Sequence, residues 1–270
     1  MQQLTLETID GLIEQVLESG LRELDLRGIG FMDPYALLLL DLLVLEQRDK
    51  GIEPSITWPE RNAVRGWIGA MGLHADLSLE SGSPTTRDLE STLQPITRIE
   101  DESRVTHVVE GFHQRLADRY PLTESSRRSL VALMIELFQN IPHHSNADGS
   151  IEDSHGMAAM QDYADSIFLS VADRGIGLRA SLGLREGYEG LTDAQALDDI
   201  FYRGISRFSD PGRGGELRRI ADLVRSWDGI LAVRSGSALF YAGPHGSDIY
   251  DVPRFPGVQL GLRLSRRAFS

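Results

Sequence analysis

An α+β chain of two domains is predicted by three features of the sequence. The first is length: 270 residues exceed the roughly 100–150 of a typical single domain. The second is residues 1–77, where short strand and helix patterns alternate. The third is the later part, where two helical patterns precede strands interrupted by glycine-rich turns. Hydrophobic residues at 41% and charged residues at 25% are enough for a true core and an ordinary polar surface.

In order along the chain, Leu21 to Leu26 alternates leucines with Arg22, Glu23 and Asp25 and reads as a short strand. Asp33-Pro34 starts a helix. Asp33 can accept from free backbone N–H groups, and Pro34 loses nothing at the first helical position. That helix runs to about Lys50 and stops at Gly51. Its apolar run, Ala36 to Leu45, is interrupted by Asp41 and is far short of the ~20 residues that span a bilayer, so it reads as a buried helix. Ile52 to Trp58 is a second strand, closed by Pro59. Asn62 to Met71 is a second helix, with Gly72 after it. Residues 1–77 therefore read as a strand–helix–strand–helix unit. Residues 78–97, rich in Ser, Thr, Gly and charge, read as a linker.

Residues 98–270 open with two amphipathic helices. Ser103 to Tyr120 carries Val105, Val108, Val109, Phe112 and Leu116 on one face. Thr123 to about Asn140 carries Leu130, Leu133, Met134, Leu137 and Phe138. Ile167 to Ala172 is a buried strand. A helix is expected over Asp193–Tyr202 and another over Glu216–Trp227, with strands at Gly229–Arg234 and Val258–Leu264.

Charge and composition exclude several functions. The chain carries a net −13, of which −9 falls in residues 1–100, so a nucleic-acid backbone or an anionic membrane is not the expected partner. The chain has no cysteine, which removes disulfides, Cys-ligated zinc, iron–sulfur clusters and thiol catalysis. Lys50 is the only lysine and lies in neither a P-loop nor a protein-kinase context. Gly-x-Ser-x-Gly is absent. Five of the seven histidines lie between His107 and His155, but no His-x-x-x-His with a glutamate occurs, so no zinc site is expected. The first residues are polar and acidic, unlike a signal peptide, and a cytoplasmic location is expected.

Three segments carry chemistry. Glu136, Asn140 and His144 are spaced four apart and form one polar stripe on an otherwise apolar helix. A carboxylate there can orient water, an amide oxygen can hold Mg²⁺, and an imidazole can meet a phosphate oxygen. Pro142 removes one backbone bond from that helix. The second segment is Asp173-Arg-Gly175-Ile-Gly177, directly after an apolar strand. An ionised Asp can accept from the exocyclic amine of adenine, and the two glycines let backbone pass close to a ligand. Gly175 to Ala180 also matches the dinucleotide pattern G-x-G-x-x-A. The third is Gly212-Arg213-Gly214-Gly215, leading into a helix. Free N–H groups at such a start form an anion cradle.

In this order, the three segments resemble the GHKL family of ATP-binding domains. ELFQNIPHH is similar to its N box, VADRGIGL to its G1 box and DPGRGGELRRI to its G2 box, and SWDGILAVRSG is similar to the strand that follows. The resemblance spans roughly residues 100–270 and is nearest to anti-sigma-factor serine kinases. It implies a Bergerat-type α/β sandwich with helices on one face of a mixed sheet. It also implies ATP and Mg²⁺ as ligands. Asn140 would hold Mg²⁺, with His144 beside the phosphates. Glu136 would be the general base, and Asp173 would read adenine. Gly175 and Gly177 would border the nucleotide, and Gly212, Arg213, Gly214 and Gly215 would close over its phosphates. Gly257-Val-Gln stands where many members carry Gly-Thr.

LRELDLRGIGFMDPYALLLLDLLVL, with ITWP and VRGWIGAMGL, resembles a STAS domain. Phosphorylated members carry a serine after the aspartate, whereas Asp33 is followed by Pro34 and Tyr35. This unit is therefore expected to dock or dimerise rather than act as a phospho-switch. A regulatory protein partner, STAS- or sigma-factor-like, or a homodimer follows from that. The expected activity is slow ATP hydrolysis or phosphotransfer to Ser/Thr. The alternatives are a non-catalytic ATP-gated interaction module and, from the dinucleotide pattern, an NAD-binding enzyme.

Overall fold

The computed structural model describes residues 2–19, 22–73, 92–99, 102–120, 123–144, 156–207 and 215–266. Its centre is an antiparallel sheet of five strands. These are β5 (Thr92–Arg98), β6 (Met157–Asp162), β7 (Ser166–Ala172), β8 (Ile230–Gly243) and β9 (Gly246–Ser265), in the order β5-β6-β7-β9-β8. All four pairings are antiparallel, so the mixed sheet implied by the resemblance is not what forms. β6 to β7 and β8 to β9 join through short connections, which favour antiparallel neighbours.

β5 occupies the C-terminal end of the segment expected as a linker, and residues 74–91 lie outside the described residues. Pro95 cannot donate to a ladder, and it lies on the edge strand where the pairing with β6 is irregular.

One face of the sheet is covered by α4 (Glu102–Arg119), α5 (Glu124–His144), α6 (Gly177–Leu182), α7 (Asp193–Phe201) and α8 (Glu216–Ser226). Phe112 of α4 and Phe138 of α5 meet edge to face, with centroids 5.3 Å apart. Both helices bury the valine, leucine and phenylalanine faces read from their periodicity. α5 continues through Pro142 to His144, four residues beyond the expected end. Thr192 and Gln195 form a capping box at the start of α7.

The other face of the sheet is covered by the N-terminal unit. That unit holds β1 (Gln2–Leu4), α1 (Asp10–Ser19), β2 (Glu23–Asp25), β3 (Ile29–Met32), α2 (Pro34–Asp49), β4 (Ser55–Thr57) and α3 (Asn62–Ala70). Its strands form two parallel pairs, β1 with β3 and β2 with β4. Asp33 caps α2, accepting from the Ala36 N–H at 2.8 Å, as the Asp-Pro pair predicts. Its other oxygen accepts from the Leu6 N–H at 2.8 Å, which ties α2 to the first strand. Pro34 to Val44 are buried without interruption. A helix covered on one side buries only a stripe. α2 is buried all round because its own strands lie on one side and the sheet on the other.

One apolar cluster therefore runs across both units, from Leu37 and Leu40 of α2 to Phe168 and Ala172 of β7 and Phe255 of β9. Gly261 of β9 makes this contact close. A Cβ there would come within 2.4 Å of Leu6 Cδ1 and 3.1 Å of Tyr35 Cδ2. Polar links cross the same boundary. Trp67 Nε1 donates to Gln161 Oε1 at 3.1 Å, Arg98 pairs with Asp41 at 3.6 Å, and the buried Arg234 pairs with Asp10. In each ion pair the acid belongs to the N-terminal unit and the arginine to the later part. No described helix is long and apolar enough to cross a membrane.

Candidate functional site

β7 ends at Ala172, and the loop Asp173–Gly177 leads straight into α6. Side chains alternate along a strand. Val171 packs with the helix-side core and Ala172 with the N-terminal core, so Asp173 continues on the helix side. Its carboxyl is 2% exposed. Oδ1 accepts from the Gly175 N–H at 2.7 Å and from the Val258 N–H at 3.3 Å. Among the described residues, Oδ2 has no hydrogen-bond partner and no cation lies against the group. Burial pushes its pKa up to about 7, against the pull of the two backbone donors. Val258 contributes its backbone N–H and has no side-chain hydroxyl to add.

The loop is wedged against β9. Gly257 has φ +77, and a Cβ there would meet the carbonyl oxygen of Asp173 at 2.1 Å. Only glycine permits so close an approach. Gln259 Nε2 donates to that same carbonyl at 2.9 Å.

Glu136 lies on α5 and is partly buried. Its pKa is raised by burial and by the facing carboxylate of Glu216, and Arg219 opposes the shift. Both of those residues belong to α8, so the charge of Glu136 is felt across the two helices. Gly215 is the N-cap of α8, with φ 75 and no side-chain cap hydrogen bond. Asn140 and His144 lie at the C-terminal end of α5. Their side chains, and Gly212, Arg213 and Gly214, lie outside the described residues, as do the side chain of His143 and the whole of His155.

A small cavity of about 50 Å³ opens between α6, α7 and α8, lined by Leu178, Leu182, Ile200, Gly215 and Glu216. A larger one of about 390 Å³ lies between the Asp173–Gly177 loop and the C-terminal end of α2. Its cations are paired: Lys50 with Glu46 at 2.9 Å, and Arg179 and Arg254 with Asp193 at 2.9 and 3.4 Å. Asp193 is held below its ordinary pKa. Burial works against its charge, but the Ser237 N–H and hydroxyl, then the two arginines, outweigh burial. Asp173 lines neither cavity. Gly215 and Glu216 thus line the small cavity, Glu136 lines neither cavity and senses α8 through the charges of Glu216 and Arg219, and Asp173, Gly175 and Gly177 lie on the loop that enters α6.

Among the described residues, no group of three or more His, Asp or Glu side chains is arranged to hold a metal ion. The dinucleotide pattern lacks its setting: it needs a parallel βαβ unit, and β7 has antiparallel neighbours on both sides.

Sequence reasoning missed Arg174, Glu46 and Asp49. Arg174 Nη1 donates to Glu46 Oε2 at 3.1 Å and Nη2 to Asp49 Oδ2 at 2.5 Å, with the arginine side chain 5% exposed. A charged side chain inside a glycine loop, and a helix ending in acids, are the only signals of it in the sequence. No protein-family model matches the chain, and no curated protein matches it.

Proposed function

We propose that residues 98–270 bind Mg·ATP in a GHKL-type pocket and that residues 1–77 are a STAS-like regulatory module. The activity is slow ATP hydrolysis or phosphoryl transfer to a Ser or Thr of a regulatory protein partner. The observation that carries this reading is Asp173: a buried residue with one carboxyl oxygen fixed by two backbone N–H groups and, among the described residues, no partner on the other and no cation beside it. A purine amine is a neutral donor that matches the free Oδ2.

The opposite end of the site fits a phosphate tail with a divalent cation. Glu136 feels the negative charge of Glu216, only part of which Arg219 offsets, and a divalent cation beside a phosphate there would ease the repulsion. The positive end of the α8 dipole, at Gly215, favours an anion. In this reading Asn140 holds the magnesium, His144 meets a phosphate oxygen, and Gly212, Arg213 and Gly214 close over the phosphates. Glu136 takes the proton of water or of a hydroxyl. Bound Mg·ATP supplies an electrophilic phosphorus and the cation that neutralises the leaving phosphate.

Thermal unfolding with Mg·ATP and, separately, with NAD tests the reading. A ligand at one hundred times its Kd adds roughly 2.7 kcal/mol. Stabilisation by Mg·ATP and not by NAD is expected. Stabilisation by NAD alone contradicts it.

A further inference from the structure

The Asp173–Gly177 loop is held from two sides. On one side Gly257 of β9 lies against the carbonyl of Asp173. On the other, Arg174 reaches the last turns of α2 and is clamped by Glu46 and Asp49 at 3.1 and 2.5 Å. The guanidinium is nearly fully buried, while Glu46 and Asp49 are 27% and 60% exposed. The N-terminal unit thus presents two partly solvated acids to one desolvated cation. Arg174 lies between Asp173 and Gly175 in the chain, and the Gly175 N–H is the shorter of the two donors that fix the Asp173 carboxyl. A shift in the C-terminal end of α2 therefore moves the backbone that aims Asp173.

We propose that Glu46 and Asp49 are positioning residues for nucleotide binding, through which the N-terminal unit sets the geometry of the Asp173 loop. The inference rests on the nucleotide reading above. The contact works in both directions: whatever free energy the clamp gives to nucleotide binding, nucleotide binding returns to the docking of α2. A regulatory partner that loads or unloads the exposed edges of Glu46 and Asp49 would thereby reach the site without touching it.

The test uses the full chain and four variants: Glu46→Gln/Asp49→Asn, Arg174→Gln, all three changes together, and Arg174→Lys. Mg·ATP affinity is measured by calorimetry. Amide hydrogen exchange over residues 173–177 is measured in the nucleotide-free protein. The acid pair and Arg174→Gln are each expected to weaken Mg·ATP about ten-fold, with no further loss when combined, because both break the Arg174 clamp and the half-exposed Lys50–Glu46 pair, which only the acid pair also breaks, contributes little. Arg174→Lys keeps one charge contact and recovers part of the affinity, which a loss of packing alone would not give. Exchange at Gly175 should rise equally in the acid pair, in Arg174→Gln and in the combined variant.

Affinity unchanged or increased in the acid pair overturns the proposal, as does full additivity in the combined variant. If the unaltered protein does not bind Mg·ATP, the nucleotide reading fails by itself. The clamp is then judged on exchange alone, and unchanged exchange at Gly175 overturns it.

Discussion

Asp173 combines two opposed demands. Its folded pKa, about 7, lies above the ordinary carboxylate value of 3.8, so the folded chain holds a proton that the unfolded chain has lost. Its contribution to stability is therefore complete below pH 3.8, falls as pH rises to about 7, and is level above that. Asp173→Asn removes this cost while its amide oxygen still accepts from Gly175 and Val258. At pH 8 the variant is expected to be more stable by roughly 1–4 kcal/mol, read by thermal unfolding. It should also lose nucleotide, because an amide N–H₂ then faces the purine amine, donor against donor. In the unaltered protein the proton must leave before Oδ2 accepts, so Mg·ATP affinity should rise with pH towards about 7 and then level off. Glu136→Ala should leave Mg·ATP affinity within a few-fold and abolish turnover. A Glu136→Ala protein that hydrolyses ATP at the original rate removes the general base from the account.

Among elements, α2 was the most legible. Its Asp33-Pro34 start and its leucine-rich run, broken only by Asp41, announce a capped, buried helix, and both are found. Leu38 has no exposed surface, and Leu38→Ala should cost about 2–5 kcal/mol in a denaturant titration. The long hairpin β8–β9 was half legible. Only its inner ends were expected, at Gly229–Arg234 and Val258–Leu264. Its outer arms carry Pro253, Pro256 and Gly236, which break the alternation that marks a strand. The pairing accommodates them with register shifts on either side of Gly236. β6 was missed because MAAMQD is rich in Ala and Met and has no β-branched residue. Gly257→Ala should cost about 1–3 kcal/mol or more, since it adds strain at positive φ and a clash with Asp173. Circular dichroism melts would read that cost.

The meeting of the two units was the least legible feature, because no sequence period says which face of a sheet another unit will cover. Only the charge asymmetry hinted at it: the acid-rich N-terminal unit supplies Asp10, Asp41, Glu46 and Asp49 to arginines of the later part. The candidate site was legible as motifs, from Asp173 to the glycine start of α8, but the Arg174 clamp was not. A contact between residues more than a hundred positions apart leaves no local pattern. Continuous apolar packing across the boundary predicts that both units unfold together, in one calorimetric transition. A chain lacking residues 1–77 should expose Phe168, Ala172 and Phe255 and bind a hydrophobic dye strongly.

The proposed function requires one ligand to be read at both ends of the site. A crystal structure with magnesium and a non-hydrolysable ATP analogue measures this directly. The adenine amine is expected within hydrogen-bond distance of Asp173 Oδ2, with the metal on the Asn140 amide oxygen of the same molecule. An analogue bound with its base away from Asp173, or with Asn140 facing a different cavity, contradicts the account.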